Sequence, residues 1–333
     1  MATDPHGSRR PRPHRSVLMS TFDRVRHYAR PYRSALLPAW TRLQTNALWQ
    51  KGHELRRYLL PARRTHAFSV GLPKTGTTSI ARMVEGRTAH EPETNILLYL
   101  HDQRAQGAIT VAEQARALRA RDALLWLEVE SNHLLGLVVE GLVAAFPDAR
   151  YVLTVRDPRP WLESQINQQY EKGHIEPFAT AWRRMYGGVP ATKHDERLLR
   201  EGLYGVGGYL AYWGWQNLHV LRSVPARNRM VVWTHQITDR ADQIVRFVGG
   251  TGVNYEGTHS NRRREKRLRL DALVDPGYLD DQIARHTAAA AAALREASEA
   301  PTPAPEPSGT RARRATLRLG PRGAARERPQ STS

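Results

Sequence analysis

The sequence contains no cysteine. That excludes disulfides, thiolate nucleophiles and cysteine-ligated metals together, and it fits a reducing compartment, with the cytoplasm as the default expectation. Long apolar runs are missing too. The longest, from Leu134 to Phe146, is interrupted by Gly136, Glu140 and Gly141, and it falls short of the roughly 20 residues that a bilayer-spanning helix needs. No transmembrane segment is expected. The amino terminus carries Arg9, Arg10, Arg12 and Arg15 with no apolar run ahead of them, which is not the layout of a secretory signal. No internal repeat is found.

With 333 residues, 40% of them hydrophobic, the chain can bury one substantial α/β core and leave residues over for arms and tails. The formal net charge of +18 suggests anionic partners. Much of that charge lies near the carboxyl end, where Arg311, Arg313, Arg314, Arg318, Arg322, Arg326 and Arg328 stand against Glu327 alone. The segment before them, PTPAPEPSG, is a Pro-rich linker that builds no core. Residues 301–333 therefore read as a disordered Pro/Arg-rich tail. Lacking aromatics for base stacking, that tail reads as a solvated arm ahead of a nucleic-acid reader. Residues 1–16 read as a disordered basic arm, 17–64 as N-terminal helices broken near Pro31, and 271–300 as a C-terminal helical segment.

Residues 65–270 alternate strand-like and helix-like patterns. The run His66 to Val70 ends at Gly71, and helical spacing resumes after Thr77 with Ile80, Met83 and Val84. Leu124 to Val129 is a second strand-like run and precedes a helix from about His133 to Phe146. Pro147-Asp148 then turns into a third run, Tyr151 to Val155. A helix follows from Pro160, residues 195–223 look helical, Met230 to Thr234 is strand-like, and Asp239 to Val248 is a helix closed by Gly249-Gly250. Such alternation predicts an α/β domain with a central parallel sheet flanked by helices.

The first strand-to-helix connection reads Gly71-Leu72-Pro73-Lys74-Thr75-Gly76-Thr77-Thr78. Backbone N–H groups in such a place make an anion site. Its two glycines are five positions apart, as in G-x-x-x-x-G-K-[ST], but Thr77 stands where that motif requires lysine. The lysine lies inside the loop instead, a departure that argues against a kinase loop wrapped on MgATP.

This string resembles the 5′-phosphosulfate loop, K-[ST]-G-[ST]-[ST], of sulfotransferases that use 3′-phosphoadenosine-5′-phosphosulfate (PAPS). A second segment, Thr154-Val155-Arg156-Asp157-Pro158-Arg159-Pro160-Trp161-Leu162-Glu163-Ser164, resembles that family's 3′-phosphate motif. There an arginine at a strand end is followed eight residues later by a serine, the spacing of Arg156 and Ser164. The resemblance implies a P-loop NTPase-like sulfotransferase fold over residues 65–270 as the catalytic domain. It also implies transfer of a sulfuryl group from PAPS to a hydroxyl or amine, leaving 3′-phosphoadenosine-5′-phosphate, with no metal. Pro73, Lys74, Thr75, Gly76, Thr77 and Thr78 would hold the 5′ end, Lys74 on the oxygen that departs, while Arg156 and Ser164 hold the 3′-phosphate. The family's late segment G-x-x-G-x-W-K has no counterpart. Arg262, Arg263 and Arg264 stand in its place, readable either as a third wall of the cofactor site or as a solvated basic helix face.

Sulfuryl transfer also needs a group that takes the acceptor's proton. By position His133 is the first choice, since an imidazole accepts a proton near neutrality without special tuning. Glu130 and Glu128 compete, alternation placing both on one strand face toward the cleft. His90, Glu91 and His101 rank as acceptor contacts, and His235 reads as structural. Residues 170–205 suit either a mobile lid or a packed helical excursion, and Tyr209 to Trp215 reads as core. The acceptor stays open between a small molecule and a carbohydrate, as does the oligomeric state. The rival readings are a P-loop nucleotide kinase or NTPase, and a nucleic-acid-binding protein acting through its basic tails.

Overall fold

The computed structural model describes residues 62–173, 178–259 and 268–300. The arm, all but the end of the expected N-terminal helices, the tail, and Arg262, Arg263 and Arg264 lie outside the described residues.

Five short strands form one parallel sheet: β1 Ala67–Ser69, β2 Thr88–His90, β3 Val129–Ser131, β4 Arg150–Val155 and β5 Arg229–Trp233, in the order β2-β3-β1-β4-β5. Helices connect every pair. α1 is Thr77–Met83, α2 Thr94–Ala105, α3 Val111–Leu125, α4 Val139–Ala145, α5 Pro158–Lys172, α6 Phe178–Tyr186, α7 Glu196–Arg200, α8 Val206–Ser223 and α9 Ala241–Phe247. α10 Leu270–Leu273 and α11 Pro276–Glu299 follow the sheet, and a 3₁₀ helix, His133–Val138, links β3 to α4. Burial on both faces suits the strand compositions: five of the six residues of β4 and all of β1 are buried. Trp161, Tyr209 and Trp213 are fully enclosed beneath the helices. Among the described residues no helix is long and apolar enough to cross a membrane.

Three details differ from the sequence pattern. Leu124 and Leu125 end α3, and the strand begins at Val129; a short apolar run fits a buried helix end as well as a strand, and the Thr110–Glu113 capping box that starts α3 decides it. β2 is a three-residue strand with no hydrophobic signature. The helical stretch at 195–223 divides into α7 and α8, because Gly202 takes a left-handed conformation (φ 72°) and Gly205 caps α8.

The edge of the sheet where the strands begin is tied by ion pairs to two buried carboxylates. Arg64 Nε and Nη2 each reach Glu128 at 3.0 Å, and the Arg87 backbone N–H donates to the same carboxylate. Beside them Arg63 Nη1 and His66 Nε2 hold Asp122 at 2.8 and 3.0 Å. The hydrogen bonds from Arg64 bring the Glu128 carboxyl down to about 2 despite its burial. A depressed carboxylate contributes stability that is complete above its ordinary value of 4.5 and is lost as pH falls through about 2. Urea midpoints measured from pH 7 to pH 2.5 are expected to show a loss of about 1–2 kcal/mol from this group, at the low end because Arg64 is half exposed. Glu128→Gln is expected to remove that part of the acid dependence.

Candidate active site

The opposite edge, where all five strands end, carries the loop of residues 71–76. Six consecutive carbonyls of this segment are engaged by the scaffold. Thr75 Oγ1 donates to Leu72 (2.6 Å), Trp161 Nε1 to Pro73 (2.9 Å) and Arg156 Nη1 to Lys74 (3.4 Å). The Thr234 hydroxyl reaches Thr75 (2.8 Å), the Ile80 N–H reaches Gly76 (3.1 Å), and the Ser131 hydroxyl reaches Thr77 (2.7 Å). A trans peptide is planar, with each C=O opposed to the next N–H. Tying the carbonyls inward therefore turns the N–H groups of residues 74–78 outward. Lys74 (φ 66°) and Gly76 (φ 103°) adopt the left-handed conformation from which anion-binding backbone nests are made.

The two glycines have different reasons to be there. A Cβ at Gly71 would sit 2.1 Å from Thr154 Oγ1 and 2.4 Å from the Thr154 carbonyl oxygen, so the loop packs directly on the β4 backbone. At Gly76 a Cβ would meet the Ile237 side chain and the left-handed φ would strain it.

The loop opens on a cavity of about 730 Å³ that also meets the ends of β2, β4 and β5 and one face of α5. Pro73, Lys74, Gly76, Thr77 and Thr78 line it on one side, Arg156 and Ser164 on another. The buried Thr75 lies beneath the loop, its hydroxyl 2.8 Å from that of Thr154. Arg156 is positioned by Trp213, whose Nε1 donates to the Arg156 carbonyl at 3.1 Å. Gln168 and Lys172 also line the cavity. They follow Ser164 at i+4 and i+8 on one helix face, a spacing visible in the sequence. Thr234 and His235 complete the wall, so His235 faces the cavity where a structural role was expected.

The candidates for the base fall in different surroundings. Glu130 is buried against Arg121 in a two-pronged pair at 2.7 Å and does not line the cavity. Glu128 belongs to the opposite edge of the sheet. The expectation that both face the cleft is corrected: Glu130 is turned to the buried Arg121 and Glu128 to the half-exposed Arg64. His133 begins the 3₁₀ helix after β3, capped by the Asn132 side chain, and its Nδ1 lies 2.7 Å from Glu91 Oε1. Glu91 itself lines the cavity, whereas His133, hydrogen-bonded to it, is not among the lining residues. The next histidine, His90, places Nε2 3.3 and 3.1 Å from the hydroxyls of Thr77 and Thr78. Burial alone would raise the Glu91 carboxyl, but the charge and hydrogen bond of His133, with His90 and Lys172, bring it to about 2. Burial holds the His90 imidazole below its usual range. The Glu91–His133 contact was not legible in sequence, because it joins the ends of β2 and β3, 42 residues apart. His101 lies away from this cavity, with Nδ1 3.3 Å from the Leu137 carbonyl.

A parallel sheet with a phosphate-type loop at its carboxyl edge, facing an arginine from the adjacent strand end, defines an α/β protein of the P-loop-like class. The model of the sulfotransferase domain matches residues 67–233, half of the chain, and the protein belongs to that family. It is a transferase of sulfuryl groups. Among solved structures, a sulfotransferase from Alicyclobacillus acidocaldarius aligns with 71% of this chain and 96% of its own, at 15% identity and a TM-score of 0.35. No curated protein matches the sequence.

The packing of Gly71 on β4 yields a direct test. Gly71→Ala pushes a methyl group against backbone, so thermal and urea melts are expected to show destabilisation of about 1–3 kcal/mol, whereas a loop resting on flexible side chains would absorb the change.

Proposed function

We propose that the protein transfers the sulfuryl group of PAPS to a hydroxyl or amine of a small acceptor by in-line displacement at sulfur. The observation that carries this reading is the single cavity lined by both the Lys74 loop and the Arg156–Ser164 pair. The residues present suit a bisphosphorylated adenosine. Outward-turned N–H groups and Lys74 suit the 5′-phosphosulfate, and the planar fork of Arg156 with the Ser164 hydroxyl suits a 3′-phosphate. Gln168 Oε1, buried on the α5 wall without a partner among the described residues, offers an acceptor to a ribose hydroxyl or a base amine. PAPS, when bound, supplies a sulfuryl group on a phosphosulfate leaving group.

Lys74 stabilises the negative charge that grows on the oxygen linking sulfur to the 5′-phosphate as that bond breaks. His133 takes the acceptor's proton while the new sulfur–oxygen or sulfur–nitrogen bond forms. Glu91, ionised at any working pH, fixes the ring through Nδ1 and stabilises the imidazolium, so Nε2 is the nitrogen that receives the proton. Thr77 and Thr78 are kept in place by His90. Glu130 remains the counter-charge of Arg121.

Two experiments test this. Calorimetric titration with 3′-phosphoadenosine-5′-phosphate should give specific binding in the wild type that weakens at least tenfold in Lys74→Ala and in Arg156→Ala, each of which should also lose PAPS-dependent sulfate transfer. Tight binding of MgATP in place of this nucleotide would count against the proposal. Glu91→Gln is expected to lower kcat by about 10- to 100-fold with little change in KM for PAPS. Glu130→Gln is expected to do the reverse, costing about 3–5 kcal/mol of stability by leaving Arg121 uncompensated while the folded fraction keeps its rate.

A further inference from the structure

A second cavity, of about 600 Å³, lies between α2, α6 and α8. Its volume is in the range of small-molecule sites. The walls are mostly apolar, with Leu98, Leu137, Met185, Tyr212 and Trp215 among them. Its charged lining residues, Asp102 and Arg184, form an ion pair with each other, so neither presents an unmatched charge to an occupant. His101, also on the wall, has its Nδ1 3.3 Å from the Leu137 carbonyl, and burial lowers the pKa of its imidazole.

The aromatic groups are arranged along α8. Tyr212, Trp215 and His219 follow one another with ring centroids 5.9 and 5.1 Å apart, the last pair nearly parallel at 10°. Trp215 is 48% exposed although it lines the cavity, and an indole left half open beside an apolar hollow is a surface for stacking a flat ring. The floor is placed with respect to the chemistry. Leu137 lies on the 3₁₀ helix that His133 begins, four residues or about 8 Å along its axis. Glu91, paired with His133, lines the first cavity.

We infer that this second cavity receives the body of the acceptor, and that the acceptor is an uncharged, flat aromatic molecule bearing a hydroxyl, not a sugar. The inference rests on the sulfuryl-transfer reading for the use of the cavity, though not for its occupancy. The aromatic body lies among Leu98, Met185 and Trp215, and its hydroxyl extends past Leu137 toward His133. A carbohydrate would leave its hydroxyls facing apolar walls, at a cost of about 1–3 kcal/mol for each one unpaired.

Gly188 provides the test. It lines the cavity, its φ is not left-handed, and a Cβ there would meet nothing within 4 Å, so Gly188→Leu fills the space without straining the fold. The full-length protein, saturated with 3′-phosphoadenosine-5′-phosphate, is titrated calorimetrically with 4-phenylphenol and separately with N-acetylglucosamine. The expected result is micromolar binding of 4-phenylphenol, at least tenfold weaker in Gly188→Leu and in Ala211→Phe, with nucleotide affinity unchanged and no binding of the sugar. With PAPS, 4-phenylphenol should gain a sulfuryl mass in the wild type. Nucleotide binding without 4-phenylphenol binding, or 4-phenylphenol binding indifferent to both substitutions, overturns the inference. Sensitive 4-phenylphenol binding by a protein that takes no nucleotide keeps the aromatic site and removes the donor reading instead.

Discussion

The backward anchoring of the loop carbonyls is the constraint from which the rest of the site follows. An isolated Gly-Leu-Pro-Lys-Thr-Gly segment has no reason to hold a non-glycine residue in the left-handed region, a conformation that costs about 1–2 kcal/mol. Here each carbonyl from Leu72 to Thr77 has a donor, and a hydrogen bond contributes a net 0.5–1.5 kcal/mol or so. Together these outweigh the strain at Lys74. Two of the donors, the Thr75 hydroxyl and the Ile80 N–H, are local, but the other four come from the ends of β3 and β4, from α5 and from the turn after β5, so the full set is present only when the sheet is assembled.

Sheet topology explains why those donors are at hand. The connection leaving β1 runs toward β2, and that leaving β4 runs toward β5, on opposite sides of the β1–β4 pair. A crevice at the carboxyl ends of the strands opens where connections diverge in this way. Lys74 follows β1 and Arg156 follows β4, which puts them on the two lips of that crevice. The remaining strands end in Glu91, His133 and Thr234–His235, and each chain turn at this edge contributes a polar side chain.

Much of this could be read from the sequence, and the parts that could not share a cause. The phosphate loop and the arginine–serine motif are local patterns, and local patterns fix strand-to-helix turns. The alternation of apolar runs and helical periods gave the parallel sheet. β2 escaped notice because Thr-Ala-His has no apolar alternation, and with it went the position of Glu91, which no spacing rule connects to His133. Glu128 and Glu130 do alternate along a strand, but alternation says nothing about which arginines wait on the other side. Arg64 and Arg121 come from outside the strand, one ahead of β1 and one on α3. The face shared by Ser164, Gln168 and Lys172 was legible in principle, since it needs only helical geometry.

The ion-paired margin where the strands begin and the polar margin where they end are separated by strands of as few as three residues, about 10 Å of backbone. That span is enough for substitutions at the two margins to combine almost additively. Cohesion and chemistry are in this sense decoupled. A lineage can trade one polar side chain for another at the upper margin while Arg63, Arg64 and Arg87 go on clamping Asp122 and Glu128 below, so catalytic drift need not begin with a loss of shape.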